Sequence, residues 1–153
     1  MNEPAGQVHI TTAQEAAQIV EKFFRAVNLD PNANRLKLDQ GIGWNLSRGS
    51  ALIYIYIEKV QNIETIRVVS PMLYLPTENL LAFYRRCLEL NFSTLGCAFA
   101  ISKDVLYAVS ERVIQGLDQA EFDNMMAQVG HVADTFDDKL AQEFGGRLLG
   151  QGR

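Results

Sequence analysis

The sequence predicts an α+β domain in which helices pack against an antiparallel β-sheet. A capped amphipathic helix stands near the start of the chain, and a second one stands near its end. Between them lie runs of β-branched and aromatic residues separated by short turns, a pattern typical of an antiparallel meander. A length of 153 residues suits one domain with a real core.

The first helix is predicted to begin near Ala13, because Thr12 and Glu15 have the spacing of a capping box. The apolar residues that follow recur at helical spacing and form one stripe: Ala16, Ile19, Val20, Phe23, Phe24 and Val27. Residues 28–34 contain an Asp-Pro pair and predict a stop and a turn. A single stripe needs one apolar surface, so this helix is expected on the core side of the sheet.

The strands of the meander are predicted from alternation. Leu36 and Leu38 alternate with charged neighbours, as in a strand. A second alternating set predicts a strand that ends at a turn over residues 48–49: Ile42, Trp44 and Leu46. Residues 50–58 form the strongest strand of the chain, and residues 63–70 return beside it.

The strand over residues 50–58 is apolar on both of its sides. One side consists of Ile53, Ile55 and Ile57, and the other of Leu52, Tyr54 and Tyr56. An antiparallel sheet with one wet face should alternate apolar with polar residues, so both faces are expected to be covered at least in part. The isoleucine side is the drier one and is predicted to take the first and last helices.

The second half of the chain opens with a strand end at residues 72–75, which stops at Pro76. A helix is predicted over roughly residues 77–90, with Asn91 ending it, and its apolar stripe is too wide for a surface helix with one neighbour. Residues 96–101 and 105–109 then predict a β-hairpin.

The last helix is predicted to begin at Asp118, which forms a capping box with Glu121, and to end at Gly145 and Gly146. Its apolar residues form a narrow seam: Phe122, Met126, Val129, Ala133, Phe136 and Leu140. We favour packing of this seam on the chain's own sheet over packing on a partner helix. Replacement of Phe136 by Ala is then expected to cost about 3–5 kcal/mol.

Composition excludes several classes of function. A net charge of -4 gives no general attraction to nucleic acid or to anionic lipid. No apolar run approaches the length of a membrane span, and residues 1–11 lack the pattern of a signal peptide. Cys87 and Cys97 are far from any metal-binding spacing and are predicted to be free thiols in a reducing compartment. These features favour a cytoplasmic protein.

Catalytic and metal-binding patterns are scarce. The two histidines are His9, near the start, and His131, inside the last helix and off its seam. No zinc-protease, nucleophile-elbow or phosphate-loop motif is present. Three acidic residues of the last helix could suggest a cation site, but a solvated acidic face is the favoured interpretation: Asp134, Asp137 and Asp138. We therefore predict no catalytic residue, no cofactor and no metal.

The middle of the chain carries a pattern that resembles the YbjN-type family, and especially a cyanobacterial branch of it. The pattern consists of LPTENLLAFYRRCLELNF over residues 75–92, a small-residue strand, a hairpin and a long acidic helix. The Gly43–Trp44 and Glu111–Arg112 pairs also fit, and the resemblance covers roughly residues 12–146. It implies a type III secretion chaperone-like fold of order α-β-β-β-α-β-β-α, a homodimer that binds protein segments, and no catalytic centre. In cyanobacteria a protein of this kind is associated with carboxysome shell assembly, which makes a carboxysome shell protein a candidate client.

The resulting prediction is a non-catalytic, chaperone-like domain over residues 12–146, with a flexible arm at 1–11 and a flexible tail at 147–153. We expect a homodimer, because the stripe of the middle helix and the double-sided strand present more apolar surface than one small domain covers. It is predicted to bind a protein client, and neither nucleic acid nor membrane. The alternatives are a regulatory or signalling adaptor and, less favoured, an enzyme with a scattered site of Tyr74, Arg85 and Glu111.

The client is predicted to contact the tyrosine side of the meander. Tyr54 and Tyr56 form this candidate site, together with Trp44 if the register of the preceding strand allows it. Tyrosine can bury its ring while its hydroxyl stays wet, and Tyr and Trp are enriched at interface hot spots. The competing interpretation is that these rings fill a dimer interface or a second core layer.

Overall fold

The computed structural model describes residues 9–149, and it consists of three helices and one five-stranded sheet. The helices are α1 (Ala13–Ala26), α2 (Leu80–Ser93) and α3 (Gln119–Phe144). The strands are β1 (Ile42–Arg48), β2 (Ala51–Val60), β3 (Ile63–Tyr74), β4 (Ala98–Ser102) and β5 (Val105–Val113). The predicted α+β class and the predicted element order are both confirmed.

Local signals set the ends of α1 and α3. Thr12 accepts a hydrogen bond from the Glu15 N–H while the Glu15 carboxylate accepts one from Thr12, and Asp118 and Glu121 do the same for α3. Both capping boxes satisfy backbone donors that a helix start leaves unpaired. At the other end of α3, Gly145 is the C-cap with a positive φ of 75°, which glycine adopts without strain.

All strand pairs are antiparallel, in the order β1-β2-β3-β5-β4. In β2, Ile53 and Ile55 are fully buried while the alternate residues are partly exposed. We call the isoleucine side the inner face of the sheet and the tyrosine side the outer face. Leu36 and Leu38 do not form the expected strand, because the segment makes only one bridge, between Arg35 and Trp44.

Helices α1 and α3 cover the inner face, as predicted. The rings of Phe23 in α1 and Phe122 in α3 meet edge to face at 5.6 Å, and Phe99 of β4 meets Phe136 of α3 at the same distance. The seam of α3 therefore packs on the chain's own sheet. Phe136 is only partly buried, however, whereas Phe122 is fully buried, so the large truncation cost expected for Phe136 belongs to Phe122.

Helix α2 lies along the edge of the sheet beside β4 and differs from its predicted span. It begins at Leu80 rather than at residue 77, because Asn79 has a left-handed conformation with φ 56°. It also continues through Asn91 to Ser93, because the Asn91 amide bonds to the backbone of β4 instead of ending the helix. Phe83 faces the core and meets Phe144 of α3 at 5.4 Å.

The predicted flexible arm and tail fall partly outside the described residues, which exclude 1–8 and 150–153. Within the described part, the His9 carbonyl accepts a hydrogen bond from Gln115, and Thr11 is buried. Residues 147–149 do not form a free tail, because their backbone bonds to the end of β3. The reason is that β3 runs past the ladder of β2 and leaves backbone groups there to be paired.

Cys87 and Cys97 are both free and buried. Burial raises the pKa of each thiol to about 11, which makes both poor nucleophiles. Among residues 9–149, no helix is long and apolar enough to span a membrane.

Candidate functional site

The outer face of the sheet carries a broad apolar surface. Its side chains point away from α1 and α3, and within residues 9–149 no helix packs over it. The residues that compose it come from four strands, and all but the buried Val69 are at least partly exposed: Leu52, Tyr54, Tyr56, Val69, Tyr107, Val109, Ala98 and Ala100. A sheet face of this composition offers apolar contact area that the described chain does not use.

A depression of about 490 Å³ lies in this face. Tyr56 and Tyr107 line it together with Val69 and Val109, and Ala100 of β4 adds a small side chain to the lining. The rings of Tyr54 and Tyr56 lie parallel, with centroids 6.2 Å apart and planes within 4°. Burial raises the pKa of the Tyr56 phenol, so its hydroxyl stays protonated and can donate a hydrogen bond.

Charged residues stand at one end of the depression. Arg67 donates its Nε–H to Glu111 at 2.5 Å, and its Nη1 lies 3.4 Å from a carboxylate oxygen of Glu58. The hydrogen bond to Glu111 raises the pKa of Arg67, so the guanidinium is charged at any physiological pH. One positive and two negative charges leave a net charge of -1 at this end of the site.

The structure brings together two of the three predicted site residues. Tyr54 and Tyr56 lie side by side on the outer face, but Trp44 lies on the inner face and is fully buried. Trp44 pairs directly with Ile55, and directly opposed residues of an antiparallel pair share a face. Arg35 covers the indole ring at 4.7 Å, so Trp44 is a core residue and not part of the candidate site.

The sequence contained a signal for this correction. A two-residue turn over Gly49 and Ser50 pairs Arg48 with Ala51, and counting back along the hairpin then pairs Trp44 with Ile55. Tyr107 and Val109, by contrast, were missed because β5 joins β3 across 30 or more residues of chain. Their alternation with buried Leu106 and Ala108 was the only signal that they face outward.

The chain itself pairs with part of each edge of the sheet. At β1, the Asn34 carbonyl accepts from Asn45 N–H, and Leu36 N–H donates to Gly43. At β4, the Asn91 amide bonds to both the N–H and the carbonyl of Phe99, at 2.6 and 3.2 Å. These contacts disfavour addition of a partner strand at the residues that they involve, and the outer face of the sheet is accessible.

The structure does not assemble a catalytic constellation from the residues considered above. Glu111 pairs with Arg67, Arg85 pairs with Glu89 on the surface of α2, and Tyr74 lies under Arg147. Within the part of the chain that the structure describes, no group of three acidic, histidine or cysteine residues could hold a metal ion.

A second apolar surface lies on α2, opposite to the side that packs on the core. We call it the α2 apolar stripe, and it consists of three residues of α2, spaced by seven and four positions, and of Leu95 just past the end of the helix. Their exposed fractions are 83%, 70%, 97% and 78%, respectively: Leu81, Leu88, Phe92 and Leu95. Exposure of neighbouring large apolar side chains on this scale is unusual for an isolated domain.

The α+β fold, with one antiparallel sheet backed by helices, is shared with chains of two solved complexes. The crystal structure of the ExsC–ExsE complex contains a chain with a TM-score of 0.65 at 12% identity, and the match covers 86% of this chain and 97% of that one. The HopA1–SchA chaperone–effector complex gives a TM-score of 0.58 at 12% identity, over 80% and 93%. These likenesses show the fold.

A family model also matches residues 14–151, nearly the whole chain. The chain therefore belongs to the family described as type III secretion (YopN, CesT) and YbjN peptide-binding chaperone 1. This confirms the predicted family and the class of chaperone-like peptide-binding modules. No curated protein sequence matches the chain.

Proposed function

We propose that this protein is a non-catalytic, homodimeric chaperone that holds a segment of a client protein against the outer face of its sheet. The observation that carries the proposal is the open tyrosine-lined face, with a depression of about 490 Å³, on a sheet whose edges are each partly occupied. A client held there would be recognised by its side chains rather than by strand addition. Membership of a peptide-binding family and the likeness to a chaperone–effector complex support a protein client.

The chemistry of the face indicates which segments fit. Tyr56, Tyr107 and Val69 offer apolar and aromatic contact, which suits aliphatic or aromatic side chains. Glu58 and Glu111 share one arginine, so their uncompensated charge favours a lysine or arginine in the segment. We therefore infer a client segment that combines apolar residues with a basic one.

The α2 apolar stripe is assigned to the homodimer rather than to the client. Four leucine and phenylalanine side chains in one stripe can meet the same stripe of a second copy about a two-fold axis, which is the commonest way to cover such a surface. The stripe and the outer face involve different residues, so a dimer formed this way keeps both client sites free.

The client class and the location rest on the sequence resemblance. The similarity to the cyanobacterial branch supports a carboxysome shell protein as the client and the cytoplasm as the place where the two meet. Co-expression with individual carboxysome shell proteins, followed by affinity capture, tests this part separately from the binding surface.

The binding surface is tested with a displayed library of random 15-residue peptides, selected on the immobilised protein. The double variant Tyr54→Ser, Tyr56→Ser should keep its fold and its dimer mass and should lose the enriched peptides. Val27→Ser is the control, because it removes an exposed apolar side chain at the end of α1, away from both the outer face and the α2 apolar stripe, and should leave enrichment unchanged. Equal enrichment by the double variant would contradict the site, and unfolding or monomerisation would show that the rings are structural.

The charge preference is tested in the same selection. The variant Glu58→Gln, Glu111→Gln should still enrich apolar residues and should lose any enrichment of lysine and arginine. Enrichment of acidic residues on the wild-type protein would instead point to Arg67 as the recognising group and would contradict the inferred basic residue.

A further inference from the structure

Residues 147–149 form a short strand on the end of β3. The Arg147 carbonyl accepts a hydrogen bond from Tyr74 N–H at 2.9 Å, and Leu149 N–H donates to the Met72 carbonyl at 2.8 Å. Leu73 and Leu148 face each other between these bonds in antiparallel register. We call residues 147–149 the tail strand.

The tail strand occupies a place that the rest of the sheet leaves open. The ladder between β2 and β3 reaches Tyr54 and Val69, while β3 continues to Tyr74. On its other side this end of β3 pairs with β5, through Leu106 and Val105. The N–H and carbonyl groups of residues 72–74 that face away from β5 would therefore lack a strand partner without the tail strand.

Side chains add specificity to this pairing. The guanidinium of Arg147 lies 4.3 Å above the centre of the Tyr74 ring, within the range of a cation–π contact. Leu148 packs against the core beside Leu73, which is fully buried. The tail strand thus contributes a cation that contacts an aromatic ring, and an aliphatic side chain that contacts the core.

Two glycines join α3 to the tail strand, and they differ in what surrounds them. A Cβ on Gly146 would lie 2.9 Å from a methyl group of Leu73 and 2.9 Å from the Tyr74 carbonyl oxygen. A Cβ on Gly145 would meet nothing within 4 Å. Both glycines have a positive φ, 75° for Gly145 and 140° for Gly146, but only Gly146 also lies close to β3.

We propose that the end of β3 is a second peptide-binding site, which the tail strand occupies in cis and which an extended segment of a partner can take. The tail strand defines the ligand: a basic residue followed by two aliphatic residues, paired antiparallel with residues 72–74. A three-residue strand held by two backbone bonds and preceded by a glycine hinge is displaceable by such a segment. This inference does not rest on the outer face, because its probe is the chain's own sequence.

The test uses the full chain, labelled with ¹⁵N, and a synthetic peptide of residues 145–153 (GGRLLGQGR) added in trans. Gly146→Ala should weaken docking of the tail strand and allow the peptide to shift the Tyr74 amide resonance at a Kd at least ten-fold below that of the wild type. Gln142→Ala is the control and should behave as the wild type, because Gln142 is exposed in the last turn of α3 and lies before the glycine hinge. A peptide with aspartate in place of both leucines should not bind.

A second variant keeps the proposal testable if Gly146→Ala does not fold. Leu148→Asp in the full chain removes the aliphatic contact without touching the hinge and should also open the site to the peptide. Peptide binding by either folded variant, with protection of the Tyr74 amide from hydrogen exchange restored on binding, supports the proposal. Failure of both variants to bind the peptide, or unfolding of both, would show that the tail strand is a fixed part of the core and would overturn it.

Discussion

Phe92→Ser tests whether the α2 apolar stripe forms the dimer interface. Phe92 is 97% exposed, so its ring makes almost no contact within the described chain. Its loss is therefore expected to change the unfolding free energy of a single chain by no more than about 0.5 kcal/mol. In the dimer, by contrast, the ring is expected to be buried against the partner stripe.

The expected size of the effect follows from the burial of the ring. Burial of a large apolar side chain contributes roughly 1.5–3 kcal/mol. A two-fold interface contains Phe92 twice, so the substitution should weaken association by roughly 3–6 kcal/mol. At about 1.4 kcal/mol per factor of ten, the dimer Kd should rise by roughly two to four powers of ten.

Analytical ultracentrifugation at concentrations from about 0.1 to 50 µM measures this shift directly, a range chosen to bracket the micromolar Kd of a modest interface. Ile63→Ser is the matched control, because Ile63 is also an exposed large apolar residue, at 52%, but lies at the opposite end of β3 from α2. An unchanged dimer for Phe92→Ser would refute the assignment of the stripe. A wild-type protein that is monomeric throughout the range would refute the dimer itself.

Three further predictions concern the core. Phe122→Ala is expected to lower the unfolding free energy by about 3–5 kcal/mol because the ring is fully buried, and Phe136→Ala is expected to lower it by less. Urea denaturation should show the larger loss of stability for Phe122→Ala. A larger loss for Phe136→Ala would contradict the packing of α3. Burial raises the pKa of Asp137, so the charged carboxylate destabilises the fold at pH values above that pKa. Asp137→Asn should therefore raise the melting temperature at pH 7, and the gain should shrink as the pH falls through the raised pKa. A gain that does not depend on pH would point to another cause. Cys87 and Cys97 should react with Ellman's reagent at pH 8 far more slowly in the native protein than in urea, because burial raises both pKa values to about 11; an unreduced mass short by two hydrogens would reveal a disulfide instead.

The outer face shows how far sequence alone reaches in the search for a site. Alternation in residues 50–58 correctly separated Tyr54 and Tyr56 from the isoleucines, because side chains of a strand point to opposite faces in turn. The same alternation could not say which face Trp44 shares, since a shift of one residue between neighbouring strands moves every side chain to the other side. The hairpin register decided that question and placed Trp44 in the core.

The sequence by itself determined the elements whose causes are local. Thr12 and Asp118 set the starts of α1 and α3 through bonds to residues three positions away, and apolar periodicity separated helices from strands. The sequence also predicted the family, because the resemblance was clearest in contiguous residues, 75–92, and the family match covers residues 14–151.

Only the tertiary structure decided the features that depend on contacts between distant parts of the chain. The pairing of β5 with β3 brings Tyr107 beside Tyr56 and Glu111 beside Arg67, and the pairing of Leu148 with Leu73 attaches the tail strand. No local pattern encodes these pairings, because each depends on which backbone groups and apolar surfaces remain free after the neighbouring elements have packed. The exposure of Phe92 has the same origin: its helix has apolar residues on both sides, and the fold covers only one of them.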